Sequence, residues 1–182
     1  FSKDEVKKIY EIICGMLGTL YVQNIKSEKI VTIMDERKSM KSGGRYHQTQ
    51  EGGSYHSDSP QWTKVPDLIG MLCINPAKKG GTSKLVSTYT IHNHILNEQK
   101  NHLKALYEKF YFDKRGEYES DESPTVFEPI FQFKDGKLYC RYLRDYIQAG
   151  HKIQNQPLTE SQEMSLQLLE KVSQNKNYVL SY

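Results

Sequence analysis

The sequence predicts a mainly β domain with a few flanking helices, and three observations carry that reading. The stretch "VFEPIFQFKDGKLYCRY", residues 126–142, is two β-rich runs joined at Asp135-Gly136, the residues a type I′ hairpin turn prefers. Short runs rich in Val, Ile and Leu recur between turn signals, as strands do. Helical spacing is confined to three stretches, near the start, the middle and the end of the chain.

Taken in order, Ser2 and Glu5 form a capping-box pair, and Val6, Ile9, Ile13 and Met16 follow at helical spacing. Gly15 and Gly18 interrupt that pattern. "TLYVQNI" (19–25) and "KIVTIMD" (29–35) read as strands. Residues 36–61 are polar and glycine-rich, with Gly43, Gly44, Gly52 and Gly53, and read as one long loop. "LIGMLCI" (68–74) is a continuous apolar run of strand length; "KKGGTS" (78–83) is a turn, and "KLVS" resumes a strand. From Ile91 to Phe110 the pattern is helical, with Leu96, Leu103, Leu106, Tyr107 and Phe110 on the apolar side. Residues 111–124 are charged and read as an exposed loop before the hairpin. Leu158, Thr159 and Gln162 open a last helix with a second capping box, and Met164, Leu168 and Val172 lie along one face of it. "NKNYVLSY" (175–182) reads as a strand just beginning. With Phe1 rather than Met at the start, this leads us to expect one domain, residues 1–182, incomplete at its C-terminal end.

The bulk numbers exclude some function classes. At 182 residues the chain is long enough for a sizeable core. A net charge of +3, with lysines scattered among acids, gives no basic face for nucleic acid. No run approaches the roughly 18 apolar residues of a membrane span, and no signal peptide is visible. Cys14, Cys73 and Cys140 are odd in number and far apart, which fits reduced core thiols in a cytoplasmic protein. The partner expected is a small-molecule substrate, not nucleic acid or a membrane; a homo-oligomer is compatible with the composition.

The chemistry concentrates in "GGSYHSDSP", residues 52–60. On an extended segment alternate side chains point the same way, so His56 and Asp58 can reach one metal ion while Ser57 points away. Imidazole and carboxylate suit Fe(II), Mn or Zn, and a second histidine from elsewhere would complete a facial triad with open positions. Six histidines give such a step room to arise by chance, so alone it carries little weight.

Its surroundings raise it. Twenty-four residues after His56, beyond the apolar run 68–74, comes "GGTS", Gly80 to Ser83. This order resembles the taurine dioxygenase-like (TauD/TfdA) family of Fe(II)/2-oxoglutarate oxygenases, which includes γ-butyrobetaine hydroxylase and clavaminate synthase-like enzymes. There a His-Thr/Ser-Asp step is followed by a strand, a Gly-Gly-x-Thr/Ser turn and another strand. The resemblance implies a double-stranded β-helix (jelly roll). It also implies Fe(II) held by His56 and Asp58, the catalytic pair, with O2 as co-substrate and Ser83 on a carboxylate of 2-oxoglutarate. The expected reaction is hydroxylation or desaturation of a small amino-acid-like or carboxylate substrate, releasing succinate and CO2. Related halogenases replace the aspartate by a small residue, and Asp58 is retained here. The family's distal histidine and oxoglutarate-binding arginine have no match before Tyr182 and are expected beyond it; His151 is the weaker candidate for the third ligand.

Other residues are weighed on their own chemistry. Trp62 could wall a substrate pocket or pack half-buried. Arg141, and with less support Arg144, could clamp a substrate carboxylate through paired hydrogen bonds. The loop from Lys38 to Ser54, with Arg45, reads as a lid over the iron. Two other classes stay open: a cupin-type jelly-roll metalloenzyme that needs no 2-oxoglutarate, and a non-catalytic binding module.

Overall fold

The computed structural model describes residues 1–24, 26–39, 46–49 and 53–181. They fall into two units, Phe1–Gly53 with Pro66–Ile74, and Ser54–Val65 with Asn75–Tyr182.

In the first unit, α1 spans Lys3–Leu17. It begins as the capping box requires: the Ser2 hydroxyl accepts from the Glu5 N–H at 3.2 Å, and the Glu5 carboxylate accepts from the Ser2 N–H at 2.7 Å. Gly15 lies within the helix, which ends at Gly18. No residue of α1 is buried. The runs 19–24, 29–35 and 68–74, expected as strands, form none among the described residues. A strand needs a neighbour for its N–H and C=O groups, and apolar side chains alone do not supply one. Isolated bonds such as Met34 N–H to His47 C=O (3.0 Å) build no ladder. Leu68, Ile69, Met71, Leu72 and Ile74 stay about half exposed or more, and Cys73 is exposed rather than in a core.

The second unit holds the core. β1 (Lys84–Val86) pairs antiparallel with β6 (Val179–Ser181), the strand expected near the end. α2 (Thr88–Glu98) is capped by the Ser87 hydroxyl, and α3 (Lys100–Leu106) follows after a break at Gln99. The expected single helix from 91 to 110 therefore divides and stops early. Residues 109–113, "KFYFD", form β2 (Lys109–Asp113), paired with β3 (Thr125–Pro129). Their period is two: Phe110 and Phe112 are fully buried, while Tyr111 stacks on its cross-strand partner Phe127 at 4.2 Å. β4 (Phe131–Lys134) and β5 (Lys137–Cys140) make the expected hairpin. Its turn has φ of 51° at Asp135 and 74° at Gly136, positive at both central positions as type I′ demands.

α4 (Arg144–Ile153) was not foreseen. α5 (Glu160–Ser173) starts at the predicted Thr159/Gln162 capping box but buries a different face. Leu166, Leu169 and Val172 are inside with Ser165 and Ser173, whereas Met164 is about half exposed. Burial of the serines is satisfied locally, because each hydroxyl donates to the carbonyl one turn back, Ser161 and Leu169, at 2.7 Å.

Among the described residues the sheets are three two-stranded pairs and no barrel closes. The expectation of strands with flanking helices is met in part: five helices accompany three short strand pairs, and the closed jelly roll is not seen among the described residues.

α4 sits on β2 at backbone range. A Cβ at Gly150 would lie 2.4 Å from the Tyr111 carbonyl oxygen and 2.9 Å from the Asp113 nitrogen. Both are main-chain atoms, so neither can rotate away. Gly150→Ala should therefore cost about 1–3 kcal/mol or more by overpacking, read as a lower urea midpoint. Gly15→Ala, in α1 with open space around it, should cost nothing. Equal stabilities for the two variants would contradict the packing.

Candidate metal centre

The site is built from the hairpin outward. The Arg141 N–H donates to the Ile130 carbonyl at 2.8 Å, which keeps the chain on the hairpin for one residue past β5. Tyr142 is then buried, its hydroxyl donating to Glu170 of α5 at 2.7 Å. The Tyr142 backbone meets Ser57 in both directions: Ser57 N–H donates to the Tyr142 carbonyl at 2.8 Å, and Tyr142 N–H donates to the Ser57 hydroxyl at 2.9 Å. Ser57 is thereby held on the protein side. Tyr55, Ser57 and Ser59 are half-buried and His56 and Asp58 exposed, the alternation of an extended segment.

His56 Nε2 and Asp58 Oδ1 lie 3.7 Å apart. His56 Nδ1 is 2.6 Å from the Ser54 carbonyl, which can only accept, so Nδ1 carries the proton and Nε2 faces the carboxylate. The Asp58 carboxylate facing Nε2 raises the His56 pKa, with the Ser54 carbonyl adding to it against burial. The pair thus favours a cation at the Nε2 edge. A divalent ion fits the same place. Two metal–ligand bonds of about 2.1 Å span at most about 4.2 Å, more than the separation observed. A backbone carbonyl on the second ring nitrogen is also the usual way a ligating histidine is oriented.

Just after Asp58 the chain reverses. Ser59 takes a φ of 52°, and Trp62 N–H closes the turn on the Ser59 carbonyl at 3.1 Å. The Arg141 guanidinium donates to the carbonyls of Pro60 at 2.6 Å, Trp62, and Thr63 at 3.4 Å. Burial lowers its pKa, partly countered by the Glu128 charge. Glu117 accepts from the Gln61 amide at 3.2 Å and from the Trp62 indole N–H at 3.5 Å.

Residues 1–181 match the family described as "Taurine catabolism dioxygenase TauD, TfdA family". The chain belongs to that family. It is 32% identical over 167 residues to FR-33289 synthase of Streptomyces rubellomurinus (strain ATCC 31215), an alignment covering 90% of this chain and 48% of that protein. It is 25% identical over 147 residues to the taurine hydroxylase-like protein SAT17 of Stachybotrys chartarum (strain CBS 109288 / IBT 7711), covering 79% and 36%. The chain thus spans about half the length, or less, of these two relatives.

In this TauD/TfdA-family chain the other expected site residues are dispersed. Ser83 stands half-buried one residue before β1, on the β1–β6 pair, after Gly80 and Gly81 with φ of 78° and 81°. Trp62 is half-buried at the turn beside the metal pair. The Arg141 guanidinium, expected as a carboxylate clamp, meets the backbone carbonyls of Pro60, Trp62 and Thr63, and Arg144 pairs with Glu163 of α5. His92, His94 and His102 bond to Tyr107, Tyr178 and Ser165. Arg45 and most of the proposed lid, residues 40–45 and 50–52, lie outside the described residues. Sequence reasoning missed Ser57, Tyr142 and Glu117. A hydroxyl between the two ligands was a usable signal for Ser57; nothing in the sequence pointed to the other two.

His151 is corrected as well. It lies buried on α4, and both ring nitrogens are taken: Nε2 accepts from Tyr111 N–H at 3.2 Å, and Nδ1 is 2.7 Å from the Gln156 carbonyl. No lone pair is left for a metal. Burial lowers its pKa, against the Gln156 bond. Below the ordinary histidine value, about 6.5, the unfolded chain therefore takes up a proton that the folded chain refuses. Stability from this residue is full above that value and is lost as pH falls from it toward the depressed folded value. Urea denaturation at pH 7.5 and 5 should show wild type losing more stability than His151→Gln. Equal losses would remove His151 from the acid response.

Proposed function

We propose that the protein is an Fe(II)/2-oxoglutarate-dependent oxygenase. It hydroxylates or desaturates a small amino-acid-like or carboxylate substrate, with release of succinate and CO2. The observation that carries the reading is the His56–Asp58 pair: 3.7 Å apart, on one side of an extended segment, with Nδ1 fixed by Ser54 so that Nε2 is presented. Membership of a family described as dioxygenases supports it, as does the retained carboxylate at Asp58. Bound Fe(II) with 2-oxoglutarate would supply the oxidising chemistry.

The residues of the chain bind and orient. His56 and Asp58 supply two of the three protein donors of a facial triad. Among the described residues no group of three His, Cys, Asp or Glu side chains could hold a metal ion, so the reading needs a further donor. The Ser83 hydroxyl is assigned to the far carboxylate of 2-oxoglutarate, and Trp62, at the turn after Asp58, to the substrate side. No described helix is long and apolar enough to cross a membrane. A cytoplasmic role is proposed on the three free cysteines, which fit a reducing compartment.

Anaerobic Fe(II) titration and oxoglutarate-dependent oxygen uptake test the reading. His56→Ala and Asp58→Ala should each abolish uptake and weaken metal binding severely, to a residual affinity that titration still reads; wild-type iron affinity in either would sink it. Oxygen uptake indifferent to 2-oxoglutarate would favour the cupin-type alternative, and neither iron binding nor uptake in wild type a binding module. Ser83→Ala should raise the half-saturating 2-oxoglutarate concentration roughly ten- to hundredfold, the worth of one hydrogen bond to a charged group, with iron affinity unchanged. An unchanged requirement would leave Ser83 a residue of the turn.

A further inference from the structure

We infer that Arg141 is a positioning residue for the metal pair, acting through Asp58; the inference rests on the iron site proposed above. Two adjacent residues at the end of one strand grip the chain on both sides of Asp58. Tyr142 holds Ser57, the residue before it, by two hydrogen bonds of 2.8 and 2.9 Å. Arg141 holds the segment after it, gathering the carbonyls of Pro60, Trp62 and Thr63 on one guanidinium. Arg141 is itself fixed at the other end, by its N–H on the Ile130 carbonyl. Asp58 has no comparable anchor of its own, since its carboxylate is half exposed and faces His56.

The two ligands depend on different supports. His56 is oriented by the Ser54 carbonyl at 2.6 Å, on the near side of Ser57 and away from Arg141. Asp58 stands next to Ser59, whose left-handed φ of 52° is a conformation a serine rarely adopts unaided. Three carbonyls converging on one cation hold the reversal in that state. A planar fork with several fixed donors can serve them together, which a lysine ammonium on a flexible stem cannot do as well. Removing the fork frees the reversal to relax, and the carboxylate moves away from Nε2.

The test is a double-mutant cycle read by Co(II) binding, with the metal alone as the probe and visible absorption as the signal. Arg141→Gln should weaken Co(II) binding about ten- to hundredfold, the usual cost of losing a support behind a ligand. Arg141→Lys should fall between it and wild type. In an Asp58→Ala background the effect of Arg141→Gln should vanish, because the ligand it positions is gone. A role in fold stability alone would weaken binding equally in both backgrounds, and that result, or wild-type affinity in Arg141→Gln, would overturn the inference. If Arg141→Gln does not fold by circular dichroism, Arg141→Lys is carried through the same cycle with the same criterion. Failure of the iron site itself looks different: wild type would not bind Co(II), or His56→Ala would bind it as wild type does.

Discussion

The second unit depends on a side chain that is not there. With no Cβ at Gly150, α4 can lie against the main chain of β2, where any other residue would collide with the Tyr111 carbonyl. That approach brings Tyr146, Ile147 and His151 over a strand whose Phe110 and Phe112 are fully buried. Each buried phenylalanine contributes about 1.5–3 kcal/mol, so the contact is a large part of what holds the unit together. It also fixes where α4 begins. Tyr142 and Arg141 precede the helix directly, and they hold the turn that presents His56 and Asp58. The placement of His56 and Asp58 thus leans on residues that lead into a helix to which neither of them belongs.

Two histidines show how partners decide chemistry. His56 has a backbone carbonyl on one nitrogen and a carboxylate facing the other, and its pKa is raised. His151 has a backbone carbonyl on one nitrogen and a backbone N–H on the other, and burial lowers its pKa. The first arrangement attracts a cation; the second consumes the lone pair a cation would need. The imidazole is the same, and the sequence around each is polar and unremarkable in composition. Only the neighbours brought in by the fold separate the proposed ligand from the structural residue.

What could be read from the sequence was local. Both capping boxes, the Asp135-Gly136 turn and the same-side placement of His56 and Asp58 depend on residues within a few positions of each other. What could not be read was tertiary. "KFYFD" carries period two over only five residues, too short to stand out against a preceding helical pattern. In α4 the buried positions are Tyr146, Ile147, Gly150 and His151, two of them not apolar side chains at all, so the helix has no ordinary hydrophobic stripe. In α5 the true inner face carries Gln162, Ser165 and Ser173, and reading only apolar residues rotated the helix by mistake. "LIGMLCI" has strand composition, but composition does not provide the hydrogen-bonding neighbour that makes a strand.

The metal step is local in sequence yet non-local in cause. Ser57 and Tyr142 are 85 residues apart, and Arg141 and Pro60 are 81 apart. A peptide carrying only His-Ser-Asp would have the right donors without the bonds that aim them. Closing loops of that length carries an entropic cost, which the unit meets through its core before the ligands are arranged. A metal that binds only the arranged pair must therefore favour the folded unit by mass action. For the proposed metal site the reverse holds by the same linkage: whatever loosens α4 on β2 or frees the Arg141 fork would lower metal affinity without touching either proposed ligand. On this view Gly150, Tyr142 and Arg141 belong to the site's energetics as fully as His56 and Asp58, although a motif search would find only the latter two.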